Sequence, residues 1–524
     1  MNWFDNSATL AAAAFYIYLC FLAGSAFVRR LRIGDIPASW RAAFSLLAGY
    51  GTFAFIGLVL ALVGLLRQEI LWFGVVLLLF FLRADIARHA RALGALRQRL
   101  RSGEALRLVP RTATQFLWLV VGVWVALNLL ITLVPITGHD TLDYHLPIME
   151  GVARTGSLSF SAADPITIPV FGEVSYAVPM VLFGETSAPF TFQVLQYGML
   201  VVFLLLIDGF ARTRLAHPLL RPLTFIGVLA IMDLQREVLH GGYVDIPAFV
   251  FALASTLLII DQVQRRQRDE GSLALSAGFL AVALGIKYTA LFFAAFNGLA
   301  LIVLLARSEK PHSGFAASAH TRAPQVARTI GSYAALVIVI AGVWYLKNTV
   351  LFGNPVYPMF SDAQFVSEIR YFMMDRTLVN AFVFPFARYS QWFFQDRETS
   401  SRLVVLGYLI LWSALLVSFA VIKKLRQRFS AGDTLLAVFI ALYFLFLFYT
   451  SHQYRFLLPA PMLLPLAIAL LADKVASEAR QRWGTRIIAA ASRTLATGAV
   501  LVAVFLFAAN LHYFAVKFRY LTGG

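Results

Sequence analysis

Apolar runs long enough to cross a bilayer recur along almost the whole chain, and no other feature limits its fold so strongly. A helix needs about 20 apolar residues to span the hydrocarbon layer. There the backbone must satisfy its own hydrogen bonds, which leaves helices or closed barrels as the only spanning structures. Such runs lie near residues 8–28, 42–65, 69–82, 115–136, 189–207, 219–233, 244–260, 273–286, 288–306, 329–346, 403–422, 434–449, 456–472 and 494–511. The shorter ones are acceptable inside a bundle. The chain has 524 residues, 60% of them hydrophobic and only 14% charged, with a mean hydropathy of +0.75. These values exclude an ordinary soluble domain. The expected architecture is an all-α polytopic membrane protein, a helical bundle of about fourteen spans.

The formal net charge is +17. No basic stretch interleaves with stacking aromatics or carries a nucleic-acid motif, so the surplus is assigned to anchoring loops beside anionic lipid. Arg29, Arg30 and Arg32 follow the first run, which puts them inside and the N-terminus outside. The segment Arg83–Arg111 is strongly basic and carries Leu93, Leu96, Leu100 and Leu106, the pattern of an amphipathic helix on the inner membrane surface. Later basic loops (Arg212/Arg214/Arg221, Arg265/Arg266/Arg268, Lys423/Lys424/Arg426/Arg428) continue the alternation, and the C-terminal Lys517 and Arg519 obey it least. The start, Met1-Asn-Trp-Phe-Asp5, lacks a basic stretch and reads as the lead into a first span rather than a leader. The one cysteine, Cys20, cannot form an internal disulfide.

Under this topology the polar residues without an anchoring role gather at outer span ends. They are Asp140, Asp143 and His145; Arg236, Glu237, His240 and Asp245; Lys287; Lys347 and Asn348; and His452, Gln453 and Arg455. The densest group is Gly138-His-Asp-Thr-Leu-Asp-Tyr-His-Leu-Pro147, delivered outward by the run before it. Ionisable groups at a membrane face mark function more often than structure when several converge. A plainer reading makes Asp140 an N-cap and Asp143 a first-turn acid of the helix that follows, since both favour a helix start. On a helix Asp140, Asp143 and Tyr144 share a face. Lys287 falls at the tip of an in-out-in hairpin, where it can snorkel or meet an anion. Short amphipathic helices are expected at 144–156, ending at Gly156, and at 173–184.

Several chemistries are missing from the sequence. There is no Gly-rich phosphate loop for ATP, and neither HExxH nor a Cys/His cluster for zinc. No metal and no cofactor are expected.

At the Asp140 motif the chain resembles the GT-C superfamily of membrane glycosyltransferases, in particular its bacterial protein-mannosyltransferase-like members. Asp140 and Tyr144 match that family's acidic signature in spacing, and Val152-Ala-Arg-Thr-Gly156 its helix end. Thr141 stands where the family carries a second acid. Further similarities follow in family order: Phe171-Gly-Glu-Val-Ser-Tyr176 with Leu182-Phe-Gly184, Gly242-Tyr-Val-Asp245, Leu284-Gly-Ile-Lys-Tyr-Thr289, Gly353-Asn-Pro-Val-Tyr-Pro358 and Gln453-Tyr-Arg-Phe-Leu-Leu-Pro459.

The resemblance implies a GT-C-like core over residues 113–472. Before it come N-terminal helices and the basic segment (1–112), and after it a basic loop and a last helix (473–524). It further implies a bacterial inner-membrane enzyme that moves a sugar from a polyprenyl-phosphate donor to a glycan, lipid or protein acceptor on the extracytoplasmic side. Asp140 or Asp143 would act as general base. Lys287 and Arg455 would meet the lipid phosphate. Tyr144, His145, Glu173, His240, Asp245, Lys347, Tyr357 and His452 would shape the substrate site. The competing readings are a flippase or transporter of lipid-linked sugars and a non-catalytic envelope-assembly protein of the same fold. A transporter should distribute charge through the midplane and show paired halves, and neither is evident.

Overall fold

The structure is a computed structural model that describes residues 3–101, 111–133, 138–160, 168–184, 188–231, 243–307, 317–359, 429–450 and 458–481 apart from 461, with a few isolated positions besides. Every regular element among them is helical. The order is α1 (Trp3–Arg30), α2 (Ala38–Leu62), α3 (Gln68–Phe81), α4 (Arg83–Arg101) and α5 (Ala113–Ile131). A widened turn at Thr141–His145 leads into α6 (Leu146–Thr155), followed by α7 (Phe171–Phe183), α8 (Ala188–Arg212) and α9 (Leu220–Leu229). The rest are α10 (Asp245–Arg265), α11 (Glu270–Ile286), α12 (Ala290–Arg307), α13 (Ala317–Phe352) and α14 (Ala431–Thr450). Residues 462–481 are helical as well. The expected runs fall on these helices, except 403–422, which lies outside the described residues, and 494–511, which is described only at scattered positions.

Seven helices among the described residues are long and apolar enough to cross a membrane: α1, α2, α5, α8, α10, α13 and α14. The number becomes eight if α3 and α4, which meet at 71°, count as one bent span. That bend separates the apolar α3 from an arginine-rich helix that carries Arg88, Arg91 and Arg97. Helices α7, α9, α11 and α12 are apolar but shorter.

The chain forms two compact units. The first comprises Met1–Leu77, Ile136–Leu206 and Gly241–Tyr371. Its helices α1 and α2 pack on each other and on α7, and α2 also meets α11, so the N-terminal helices belong to the packing of this unit. The Trp40 indole donates to the Leu206 carbonyl at 2.7 Å. Helix α10 is buried along nearly its whole length and packs against α11 and α12, while α11 packs against α13. Four helices are stitched at mid-height by a buried polar network. Asn297 of α12 donates to Ser255 of α10 (2.9 Å) and accepts from Thr256 (2.8 Å), and the Ser276 hydroxyl of α11 lies 2.9 Å from Ser255 and 3.1 Å from the Tyr333 hydroxyl of α13. Uncharged hydroxyls and amides serve in this way as interhelical ties where water is absent.

The second unit comprises Leu78–Pro135, Ile207–His240 and Phe372–Gly524. Helix α5 opens with a capping box, the Thr112 hydroxyl accepting from the Gln115 amide and the Gln115 side chain from the Thr112 amide, and packs against α9. Arginines expected to anchor a loop are instead tied to buried acids. Arg212 and Arg221 reach Asp208 at 2.5 and 2.6 Å, and Arg214, whose side chain is largely sheltered, lies 3.3 Å from Asp433. Asp473 accepts from the Ala216 and His217 amides, which fastens the α8–α9 connection to the helix at 462–481.

Candidate functional site: a carboxylate turn fastened to a buried pair

The motif around Asp140 folds as a widened helical turn over Thr141–His145, in which the Leu146 amide reaches back five residues to the Thr141 carbonyl. Turns of this type are rare and occur frequently at functional sites. Asp140 has helical backbone angles and its side chain makes no capping hydrogen bond, so the N-cap reading does not hold for it. Its carboxylate instead accepts from the Tyr144 hydroxyl at 3.3 Å and is one-quarter exposed. Asp143 points elsewhere: it is more than half exposed and lies 2.6 Å from Nδ1 of the still more exposed His139. His139 also stands 4.0 Å from Asp140. The two aspartates are therefore unequal, one half-sheltered beside a tyrosine and the other out in solvent beside a histidine.

The turn is held at its far end by His145. Its Nδ1 lies 2.6 Å from Glu173 Oε1, with both residues buried. The His145 ring also lies tilted against Tyr144, with centroids 4.1 Å apart, and meets Tyr243 edge-on. The following helix α6 ends at Gly156, whose φ of +66° is the left-handed cap expected of glycine. The Leu66 amide donates to the Gly156 carbonyl and Leu158 to Ala61, which ties that end to the α2–α3 connection.

Glu173 sits in the first turn of α7. This helix was expected to be an amphipathic surface helix, but it is buried on nearly every side. The reason is its position against α2, α6 and α11. The Leu182 carbonyl near its far end accepts from Gln68 and Trp72. Gly172 allows a close approach: a Cβ there would stand 2.7 Å from Val244 and 3.1 Å from Ile286. The neighbours of these two residues, Asp245 at the start of α10 and Lys287 at the end of α11, form a direct ion pair in which Asp245 is buried. The His145–Glu173 and Asp245–Lys287 pairs thus lie one residue to either side of a single packing contact.

Helix α13 completes this end of the unit. Asn348 donates to the Tyr288 hydroxyl at 2.6 Å and to the Tyr357 carbonyl at 3.1 Å, while the Tyr288 hydroxyl donates to the same carbonyl at 2.9 Å. Tyr288 lies in the turn between α11 and α12. The Tyr357 ring stacks on Phe352 with centroids 4.3 Å apart, and the Tyr357–Pro358 peptide is cis. Lys347 is buried, with its ammonium 5.4 Å from the centre of the Phe160 ring, and Phe160 meets Trp344 edge-on.

Of the residues predicted from sequence, Asp140, Asp143, Tyr144, His145, Glu173, Asp245, Lys287, Lys347 and Tyr357 all lie in the first unit. His145 and Glu173 are joined directly, as are Asp245 and Lys287. His240, His452 and Arg455 lie outside the described residues, as do Arg236, Glu237 and most of the segment from 360 to 402. Sequence reasoning missed His139, whose spacing of four from Asp143 was a usable signal, and Tyr288 and Asn348 as a pair. Among the described residues, no three His, Cys, Asp or Glu side chains gather closely enough to hold a metal ion.

No protein-family model matches the chain, and no curated protein matches it in sequence.

Proposed function

We propose that this chain is a GT-C-like membrane glycosyltransferase that takes its sugar from a polyprenyl-phosphate donor and passes it to an acceptor hydroxyl on the extracytoplasmic side. The reading includes about fourteen crossings, the shorter apolar helices lying inside the bundle. One observation carries it: a half-sheltered carboxylate beside a tyrosine (Asp140, Tyr144) is fastened through His145 and Glu173 to the helix ends that carry Lys287. An acid and a cation at one end of a helical unit suit attack on a sugar bearing a phosphate leaving group.

In this reaction the acceptor O–H bond breaks and its proton passes to the Asp140 carboxylate. The acceptor oxygen forms a bond to the anomeric carbon, and the bond from that carbon to the phosphate oxygen breaks with its electrons kept by the lipid phosphate. A positioned base contributes about 10²–10⁴-fold to such a step. Lys287 is the candidate to meet the charge gathering on the phosphate, worth more in a water-poor site than in solution. Asp143, exposed and engaged by His139, is the weaker candidate for base. Arg455 remains a second candidate for the donor phosphate, and Tyr144, Lys347, Tyr357, His240 and His452 for the sugar or acceptor.

The test is transfer of radiolabelled sugar from synthetic polyprenyl-phosphate donors by purified protein in proteoliposomes. Asp140-dependent release of polyprenyl phosphate supports the reading. Donor movement across the bilayer with the sugar bond intact would replace it with a flippase.

A further inference from the structure

The two ends of the carboxylate turn are treated very differently by the fold. At the Asp140 end His139, Leu142 and Asp143 are exposed and Asp140 is one-quarter so, with Thr141 alone turned inward. At the His145 end the imidazole enters the protein and meets Glu173, and neither residue is reached by solvent. Glu173 in turn is located from three directions. Tyr50 of α2 lies 2.7 Å from the Ser175 hydroxyl, and Ser175 donates to the Gly172 carbonyl at 2.6 Å, which pins the first turn of α7. Val244 and Ile286 close on Gly172 from α10 and α11. A carboxylate so placed is a fixed point from which the neighbouring turn can be hung.

We infer that His145 and Glu173 are positioning residues, whose buried pair sets the widened turn that presents Asp140 and Tyr144. The inference rests on the transferase reading for its kinetic consequence but not for its structural one. Neither residue need touch substrate. A widened turn has poorer intrinsic geometry than an α-turn and persists where its surroundings over-determine it. The His145 anchor supplies that determination at the residue where the turn ends and α6 begins. It also links the aspartate turn to the Asp245–Lys287 pair through a path of direct contacts: His145 to Glu173, Gly172 to Val244 and Ile286.

The experiment uses full-length protein in nanodiscs, with Glu173→Gln, His145→Gln and the double variant, and a nitroxide on a cysteine replacing Leu142, which is half exposed on the turn. Each single variant should lower kcat by about 10–100-fold, the size usual for a residue acting through another, with the donor KM unchanged. Each should also loosen the label. The double variant, in which two amides can face one another, should recover part of both. If Glu173→Gln does not purify as a single species, Tyr50→Phe, which frees α7 from the opposite side, should move the label in the same direction by less. An unmoved label in both single variants, or a change in KM alone, overturns the positioning role. Full transfer by Asp140→Asn, with the label still loosened by Glu173→Gln, would sink the transferase reading and leave the positioning pair standing.

Discussion

Two histidine–carboxylate pairs flank the same turn with the same separation, 2.6 Å, and they are opposite in every other respect. His139 and Asp143 are four residues apart and open to water, whereas His145 and Glu173 are 28 apart and buried. In water an ion pair gains little, because solvent already stabilises both partners and the side chains lose freedom on pairing. In the interior each partner depends on the other, since a charge left alone there is strongly penalised. Equal distances thus describe a weak local contact in one case and a long-range anchor in the other. Burial separates the two roles.

The contrast can be broken at several points. The largest effect should come from Glu173→Ala, which strands His145 without its partner. Loss of one member of a buried pair costs about 3–5 kcal/mol, read as a large fall in unfolding temperature in detergent. Gly172→Ala should follow at about 1–3 kcal/mol, the usual penalty for overpacking, because its new methyl meets Val244. Adding Val244→Ala should recover most of that loss, and failure to recover it would remove Gly172 from the path between the two pairs. Tyr50→Phe should cost about 1 kcal/mol, one buried hydrogen bond, with Ser175 still bonded to the Gly172 carbonyl. The exposed pair should matter least: His139→Ala and Asp143→Asn should each change stability by under about 1 kcal/mol. A larger loss from either would erase the distinction.

The sequence was informative wherever the signal was local or periodic. The apolar runs marked the helices because burial in lipid or protein demands length. Gly156 marked the end of α6 because a left-handed cap favours glycine, and Asp140 and Tyr144 meet because four residues is one turn. What could not be read came from contacts between distant segments. Nothing near His145 points to Glu173, and nothing near Asp245 points to Lys287, 42 residues on. The divergence of Asp143 from Asp140 follows from the widened turn, which an α-helical spacing argument cannot anticipate. The pattern of α7 reads as a surface helix because its one acid, Glu173, gives no local sign that it is buried and paired through one oxygen with His145. Arg214 was read as a lipid anchor because its buried partner, Asp433, lies more than two hundred residues away.

The proposed transferase chemistry requires the two aspartates to differ in role, with Asp140 as the base and Asp143 in a surface contact. It is tested most directly by single-turnover sugar transfer from a polyprenyl-phosphate donor in proteoliposomes, comparing Asp140→Asn with Asp143→Asn at matched amounts of folded protein. The account predicts a loss of about 10²–10⁴-fold for Asp140→Asn and a change of less than about tenfold for Asp143→Asn. Full activity in Asp140→Asn, or the reverse order of the two variants, would contradict it.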